Sequence, residues 1–246
     1  NGIEALDAIL QKKSVSVVML SSLTKEGADS TIQALNRGAV DFIPKPSGSI
    51  SLDIEKIKNE MIYKVKNAAK AKVKRETKSS SIRTNKVTHS FEPMVPKRKS
   101  TFKYRKKIVA IGVSTGGPRA LQTLLTSLPK DFPAPILIVQ HMPAGFTKSL
   151  AERLNKICDI TVKEAEHGEF LQDGIAYIAP GNHHLSVKKL GTSITAYIDQ
   201  TDPVGGHRPS VNYLFDSIVP LSNYQKTLVV LTGMGSDGSN GLQNIK

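Results

Sequence analysis

Hydrophobic residues along the chain follow two periods. Short runs that are largely apolar predict strands, and apolar residues spaced three or four positions apart predict helices. The predicted strands cover residues 16–20, 39–43, 108–113, 136–140, 160–162, 176–179, 184–188, 193–198 and 227–231. The predicted helices cover residues 1–10, 25–36, 53–72, 118–128, 147–157 and 211–218. Because alternating strands and helices are typical of a parallel sheet, we expect an α/β fold, with a doubly wound sheet in the second region.

This alternating pattern is lost between residues 73 and 105, and the charge distribution marks the same place. Residues 64–107 hold 16 of the 34 Lys and Arg but two acidic residues, whereas the rest of the chain carries 18 basic and 19 acidic residues. We therefore predict a region at 1–72, a basic flexible linker at 73–105 and a second region at 106–246. A solvated linker explains the charge, and contact with nucleic acid or an acidic partner is the alternative.

Composition excludes several classes of protein. No apolar run approaches the roughly 20 residues of a membrane-spanning helix, and no leader of the secretory kind opens the sequence. Cys158 is the one cysteine, so an internal disulfide and a Cys/His metal cluster are both excluded, although a His and carboxylate site is not. We expect a cytoplasmic protein with no membrane insertion and no metal among its site residues.

Three predicted strands are each followed by a residue with catalytic chemistry. Ser114 lies in a Gly-rich turn, His141 follows the next strand, and Asp237 lies in a second Gly-rich segment. Sites in open parallel sheets form beyond the carboxyl ends of the strands. A hydroxyl, an imidazole and a carboxylate at one edge predict a Ser-His-Asp triad, in which histidine takes the serine proton and aspartate orients the imidazole. The glycines would bring backbone N–H donors close to a developing oxyanion.

Each of these residues also has a structural interpretation. Ser114 is suited to cap the following helix, His141 to be a satisfied polar residue at a strand end, and Asp237 to be a turn residue. His183, His184 and His207 are further candidates for the base.

Two known motifs compete for the turn at residues 112–116. It matches the G-x-S-x-G nucleophile elbow of α/β-hydrolases, but that fold has the order Ser, acid, His, whereas the order here is Ser, His, Asp. A dinucleotide-binding turn is disfavoured because the G-x-G-x-x-G spacing is missing.

Several motifs together indicate a family. From about Lys106 to Lys246 the sequence resembles the catalytic domain of chemotaxis protein-glutamate methylesterases, the CheB family. The resemblance rests on GVSTGGPRAL, IVQHMP, GIAYIAPGNHHL, HRPSVNYLF and LTGMGSDG in this order. It implies hydrolysis of glutamate γ-methyl esters on the cytoplasmic helices of methylated chemoreceptors, and deamidation of receptor glutamines, with no cofactor for the esterase.

The resemblance also implies roles for individual residues. Ser114 would be the nucleophile, His141 the general base and then acid, and Asp237 the carboxylate that orients it. Backbone N–H groups of Met234 and Thr115 would form the oxyanion hole. The candidate substrate contacts, less specific than the triad, are Arg119, His207 and Arg208.

The first region resembles the later half of a flavodoxin-like response-regulator receiver domain. The motifs NGIEAL, VVMLSSLT and GAVDFIPKP carry this resemblance, which places Ser21 at the switch position and Lys45 near the phosphate. The phosphoacceptor aspartate and the acidic ligands for Mg²⁺ that a full receiver holds are absent from this chain, so we expect a chain truncated at both ends. The full-length protein would have a chemotaxis histidine kinase as a partner.

Two other functions remain open from the sequence. One is a nucleic-acid-binding response regulator, which is disfavoured because no helix-turn-helix pattern follows the basic stretch. The other is a catalytically inactive fragment that only docks to the receptor. Turnover would separate the inactive fragment from the esterase.

Overall fold

The structure is a computed structural model that describes residues 1–45, 54–70, 106–233 and 235–244. The first region contains α1 (Gly2–Lys12), β1 (Val18–Ser21), α2 (Lys25–Arg37), β2 (Asp41–Pro44) and α3 (Ile54–Lys70). Strands β1 and β2 pair in parallel, as expected for a β-α-β unit. The predicted linker at 73–105 lies outside the described residues.

The second region is built on a parallel sheet. Its elements are β3 (Lys106–Val113), α4 (Gly117–Leu125), β4 (Ile136–Gln140), α5 (Phe146–Asn155), β5 (Thr161–Glu164), β6 (Ile175–Ile178), β7 (His184–Leu190), β8 (Ser193–Asp199), α6 (Val211–Ile218), β9 (Tyr224–Val230) and α7 (Ser239–Gln243). Within the described residues the sheet has five strands in the order β5-β6-β4-β3-β9, all parallel. The chain moves to one side of β3 through β4 and returns to its other side with β9, so a topological switch point lies at β3.

Two apolar cores lie on opposite faces of this sheet. Along β3, Ile111 and Val113 belong to one core, and Ile108 and Ala110 belong to the other. The first core contains Leu121 and Leu125 of α4 and Phe146, Leu150 and Leu154 of α5. The second contains Leu214, Phe215 and Ile218 of α6 and Leu185 and Ala196 of the β7–β8 pair. Coverage of both faces confirms the predicted doubly wound α/β class.

The structure differs from the predicted elements in several places, and three of these differences have a physical reason. Strands β7 and β8 form an antiparallel hairpin that lies outside the parallel sheet, with seven residues of each paired to the other, and Thr195 of β8 also forms an isolated bridge with Phe170. Strand β9 begins at Tyr224, three residues before the predicted start, since half-exposed residues along this edge strand hide its apolar pattern. A short helix, α7, follows Gly238, where the sequence indicated a turn.

The first region packs directly on the second. Leu6 of α1 and Ile32 and Leu35 of α2 share one core with α5. The rings of Phe42 and Phe146 stack with centroids 4.7 Å apart. Within the described ranges, no helix is both long enough and apolar enough to cross a membrane.

Candidate active site

The loop after β3 holds Ser114 in a fixed backbone conformation. The Ser114 N–H donates to the carbonyl of Thr232 at 2.9 Å, and the Ser114 carbonyl accepts from Gln140 Nε2 at 3.0 Å. The turn packs closely around Gly117, where a Cβ would lie 1.8 Å from the side-chain oxygen of Gln140 and 2.7 Å from Cγ2 of Val113. The helix that follows begins with Gly116 as N-cap and no side chain caps it, so the interpretation of Ser114 as a helix cap is wrong.

The third loop reaches the same place from the end of β9. A Cβ added to Gly233 would lie 2.8 Å from the Cβ of Ser114, so the two Gly-rich loops touch. Thr232 adds a hydrogen bond from its hydroxyl to the carbonyl of Thr115 at 3.1 Å. The approach of the loops after β3 and β9 therefore depends on a residue without a side chain.

His141 and Asp237 form the central polar contact of the site. His141 Nε2 lies 2.9 Å from Asp237 Oδ2, although the two residues are 96 positions apart in the sequence. Because a carboxylate oxygen only accepts, Nε2 carries the proton, and Nδ1 of a neutral His141 holds the free lone pair. Nδ1 is buried, and no group in the described part of the chain hydrogen-bonds to it. The ring is therefore in the tautomer that a general base needs.

Asp237 is held by the first turn of α6. Its Oδ1 accepts from the Ser210 hydroxyl and the Asn212 N–H, both at 2.9 Å, and its Oδ2 accepts from the Val211 N–H at 2.7 Å. Burial would raise the pKa of Asp237, but hydrogen bonds from His141, Asn212, Val211 and Ser210 lower it to about 2. The carboxylate is thus ionised and fixed in orientation at neutral pH.

Sequence reasoning did not identify Ser210 as part of the site. The signal that was available is its position directly before a predicted helix, where serine is a preferred N-cap. The structure shows Ser210 as the N-cap of α6, with its side chain accepting from the Tyr213 N–H. The periodicity places Ser210 at a helix start, but nothing in the local sequence shows that this helix end faces Asp237.

The candidate site opens into a cavity of about 840 Å³. Ser114, His141 and His207 lie on its wall from the second region. Ser114 Oγ makes no described hydrogen bond to His141, and catalytic contacts of this kind often tighten only when substrate binds. The structure therefore brings Ser114 and His141 to one cavity and joins His141 to Asp237.

The first region supplies the opposite wall of this cavity. Asp41 Oδ2 accepts a hydrogen bond of 2.7 Å from the hydroxyl of Thr115, the residue next to Ser114. Lys64 Nζ lies 3.6 Å from Asp41 Oδ1 and donates to the carbonyl of Phe42 at 2.6 Å. Asp41 thus links the first region to the loop that carries Ser114.

His207 reaches the site as a stacking partner of His141. The two rings are parallel to within 2°, with centroids 4.1 Å apart. Burial lowers the pKa of His207, the neighbouring His141 lowers it further, and Asp237 acts in the opposite direction with a smaller effect. Of the other candidates for the base, His184 is fully buried, and His183 Nδ1 lies 3.2 Å from the Gly181 carbonyl.

The two arginines proposed as substrate contacts have different positions. Arg208 lines the cavity, but its guanidinium donates to Asn182 Oδ1 and to the carbonyls of Gln200 and Thr201, so most of its donors hold the surrounding loops. Arg119 is exposed in the first turn of α4 and is not among the described residues that line the cavity. Met234, the other expected oxyanion donor, lies outside the described residues.

Ser21 and Lys45 line a second cavity, of about 420 Å³, in the first region. The Ser21 hydroxyl donates to the Gly27 carbonyl at 2.9 Å, and the Lys45 N–H donates to the Ser21 carbonyl at 2.6 Å. Glu26 is the single carboxylate residue among the described residues of its lining. Because Mg²⁺ requires several oxygen ligands, usually including carboxylates, these residues do not fit the ion. Elsewhere in the described ranges, no three His, Cys, Asp or Glu side chains group as a metal site.

A parallel α/β sheet with an imidazole–carboxylate pair at its carboxyl edge defines a hydrolase-type domain. Residues 109–246 match the family model described as CheB methylesterase, and the chain belongs to this family. A protein-glutamate methylesterase/protein-glutamine glutaminase of Oceanobacillus iheyensis is 54% identical over 246 residues, covering 100% of this chain and 68% of that protein. The relative of the same name from Bacillus subtilis is 44% identical over the same shares of each chain.

A solved structure agrees with this assignment. The crystal structure of the Thermotoga maritima CheB methylesterase catalytic domain is similar with a TM-score of 0.56 and 46% sequence identity, covering 58% of this chain and 75% of that chain. These similarities give no support to a nucleic-acid-binding regulator or to an inactive docking fragment.

Proposed function

We propose that this chain hydrolyses glutamate γ-methyl esters on the cytoplasmic helices of chemoreceptors and deamidates receptor glutamines, with Ser114, His141 and Asp237 as its triad. The names of the curated relatives support the reaction. The observation that carries the triad is the 2.9 Å contact between His141 Nε2 and Asp237 Oδ2, beside the cavity that Ser114 lines. The reaction needs no cofactor.

Acylation begins with proton transfer from the Ser114 hydroxyl to His141 Nδ1. Ser114 Oγ attacks the ester carbonyl carbon as its O–H bond breaks, and the carbonyl π electrons move to oxygen. Asp237 stabilises the imidazolium that forms, because its carboxylate stays ionised beside Nε2–H. We assign the backbone N–H groups of Thr115 and Met234 as donors to the oxyanion.

Collapse of this intermediate breaks the bond to the methoxy oxygen. The leaving oxygen takes the proton from His141 Nδ1 and departs as methanol, which leaves glutamyl-Ser114. Water then gives a proton to His141 Nδ1 and attacks the acyl carbon, and Ser114 Oγ leaves with that proton. For a glutamine substrate, the leaving group is ammonia and the product is again glutamate.

We infer that residues 1–72 are a partial receiver domain and that residues 73–105 are a linker to the esterase domain. This assignment gives the Asp41–Thr115 contact a regulatory meaning, because a receiver on the cavity wall limits access to Ser114. In the full-length protein, a chemotaxis histidine kinase would control that position through a phosphorelay. The Mg²⁺ site of that phosphorelay would require several acidic ligands, and the described cavity around Ser21 and Lys45 supplies one, Glu26. Because the proposed substrate helices lie in the cytoplasm, we propose that the protein acts there, without a nucleic-acid partner.

The test is release of methanol from a chemoreceptor that carries labelled methyl esters. Ser114→Ala is expected to lower kcat by about 10⁴-fold or more, because no other nucleophile is activated at this site. Ser127→Ala serves as the matched control, since Ser127 is exposed just after α4 and its hydroxyl donates to the Leu124 carbonyl. Turnover by Ser114→Ala at the rate of the unsubstituted chain would disprove the triad.

A further inference from the structure

A buried histidine that the proposed chemistry does not use lies behind Asp237. His184 is the first residue of β7 and has no exposed surface. Its Nδ1 lies 3.3 Å from the backbone nitrogen of Ser210, and its Nε2 lies 3.2 Å from the carbonyl oxygen of Asp202. Its ring also stacks on that of Tyr213, with centroids 4.3 Å apart. His184 therefore contacts the first turn of α6 at two points.

The backbone partners define the protonation state of the His184 ring. A backbone N–H only donates, so Nδ1 must accept from Ser210, and the ring proton is on Nε2. That proton is donated to the Asp202 carbonyl, which only accepts. A second proton, on Nδ1, would face the Ser210 N–H directly. The geometry thus requires a neutral His184 with both ring nitrogens in use.

Ser210 connects His184 to the catalytic carboxylate. Its N–H is held by His184, while its hydroxyl donates to Asp237 Oδ1 at 2.9 Å. The next two amides, those of Val211 and Asn212, donate to the same carboxylate. A shift of the Ser210 backbone would therefore move three of the four donors that hold Asp237.

We propose that His184 is a positioning residue, which fixes the N-terminus of α6 so that Asp237 stays oriented toward His141. It acts through the bond to the Ser210 N–H and through packing on Tyr213. The inference rests on the proposed function for its effect on turnover, because orientation of Asp237 matters to the reaction only if His141 is the base.

Two substitutions distinguish loss of the hydrogen bond to the Ser210 N–H from loss of the imidazole ring. In His184→Asn, the amide oxygen can occupy the place of Nδ1 and accept from Ser210, whereas in His184→Gln the longer side chain reaches the place of Nε2 instead. Both lose the ring that packs on Tyr213. We expect His184→Gln to lower kcat by about tenfold relative to His184→Asn with little change in KM, because misplacement of a supporting group affects the transition state.

Amide hydrogen exchange gives a readout that is independent of the reaction. We expect the Val211 and Asn212 amides to exchange faster in His184→Gln than in His184→Asn. If His184→Gln does not fold, Tyr213→Leu takes its place, since it removes the stacked ring and should speed exchange of the same amides. Equal turnover and equal exchange in the compared variants would overturn the proposal.

A double substitution shows whether His184 acts through Asp237. In the Asp237→Ala background, His184→Gln should lower kcat by no more than about twofold further, because the group that it positions is gone. A further tenfold loss in that background would overturn the proposal. Full activity of Ser114→Ala would instead disprove the proposed function, and the exchange rates would still decide whether His184 fixes the α6 N-terminus.

Discussion

The two regions of the chain differ in how completely each builds its own sheet. In the second region, every residue of β4 is buried between two layers, and the strand has a neighbour on each side. In the first region, the described sheet has two strands, and none of the residues of β1 is fully buried. Two strands alone are marginally stable in water, so the first region depends on the apolar core that it shares with α5.

The two regions also contribute differently to the candidate site. Ser114, His141 and Asp237 all belong to the second region, where strand ends on a covered sheet fix their backbones. The first region contributes Asp41 and Lys64 to the cavity wall but no group that the proposed reaction uses. The sheet of the second region thus positions the groups of the proposed triad, whereas the first region contributes a polar contact beside them.

The largest expected effect tests whether the two regions unfold together in one transition. Phe146 of α5 is fully buried and stacks on Phe42, so Phe146→Ala should lower the free energy of unfolding by about 3–5 kcal/mol. Urea denaturation would measure this change, and a probe in each region should report the same midpoint. Phe170→Ala is the control, since Phe170 is 52% exposed and should change stability by about 0.5 kcal/mol or less. Unfolding of the first region at an unchanged midpoint would contradict the shared core.

A smaller effect tests whether the site of the second region also stabilises the fold. The pKa of Asp237 is lowered from 3.8 to about 2 in the folded chain, so its contribution is complete above about pH 4 and is lost as pH falls toward 2. The unsubstituted chain should therefore lose about 2 kcal/mol more stability than Asp237→Asn between pH 5 and pH 2. Urea unfolding at several pH values gives the pH dependence of the free energy of unfolding for the unsubstituted chain and for Asp237→Asn. The same pH dependence in both chains would mean that the donors around Asp237 do not stabilise its ionised carboxylate.

The smallest effect concerns the polar link between the regions. Thr115→Val removes the hydroxyl that donates to Asp41, and we expect a loss of about 1 kcal/mol in the free energy of unfolding. Thr123→Val is the matched control, because the Thr123 hydroxyl bonds within its own helix, to the Arg119 carbonyl. A double-mutant cycle with Asp41→Ala, which removes the acceptor, should give a coupling energy for the 115–41 pair. Additive effects in that cycle would show that the contact does not join the two regions energetically.

The sequence by itself determined the alternating α/β order and the ends of the strands at which Ser114, His141 and Asp237 lie. These features are local, because a strand that is buried on both faces needs a continuous run of apolar residues. The same reasoning identified β7 and β8 as strands but not their pairing as a hairpin, since the apolar pattern of a hairpin strand resembles that of a sheet strand. Similarly, the half-exposed edge strand β9 shows a weaker pattern than β4.

Only the tertiary structure decided which groups support those three residues. The Asp237 carboxylate meets the N-terminus of α6 from 26 positions away, His207 stacks on His141, and Asp41 bonds to Thr115 across 74 positions. Periodicity reports whether a residue is buried, but it carries no information about which distant donor faces it. The physical reason is that a hydrogen bond depends on atoms a few ångströms apart, and the packing of sheet and helices, rather than distance along the chain, brings those atoms together.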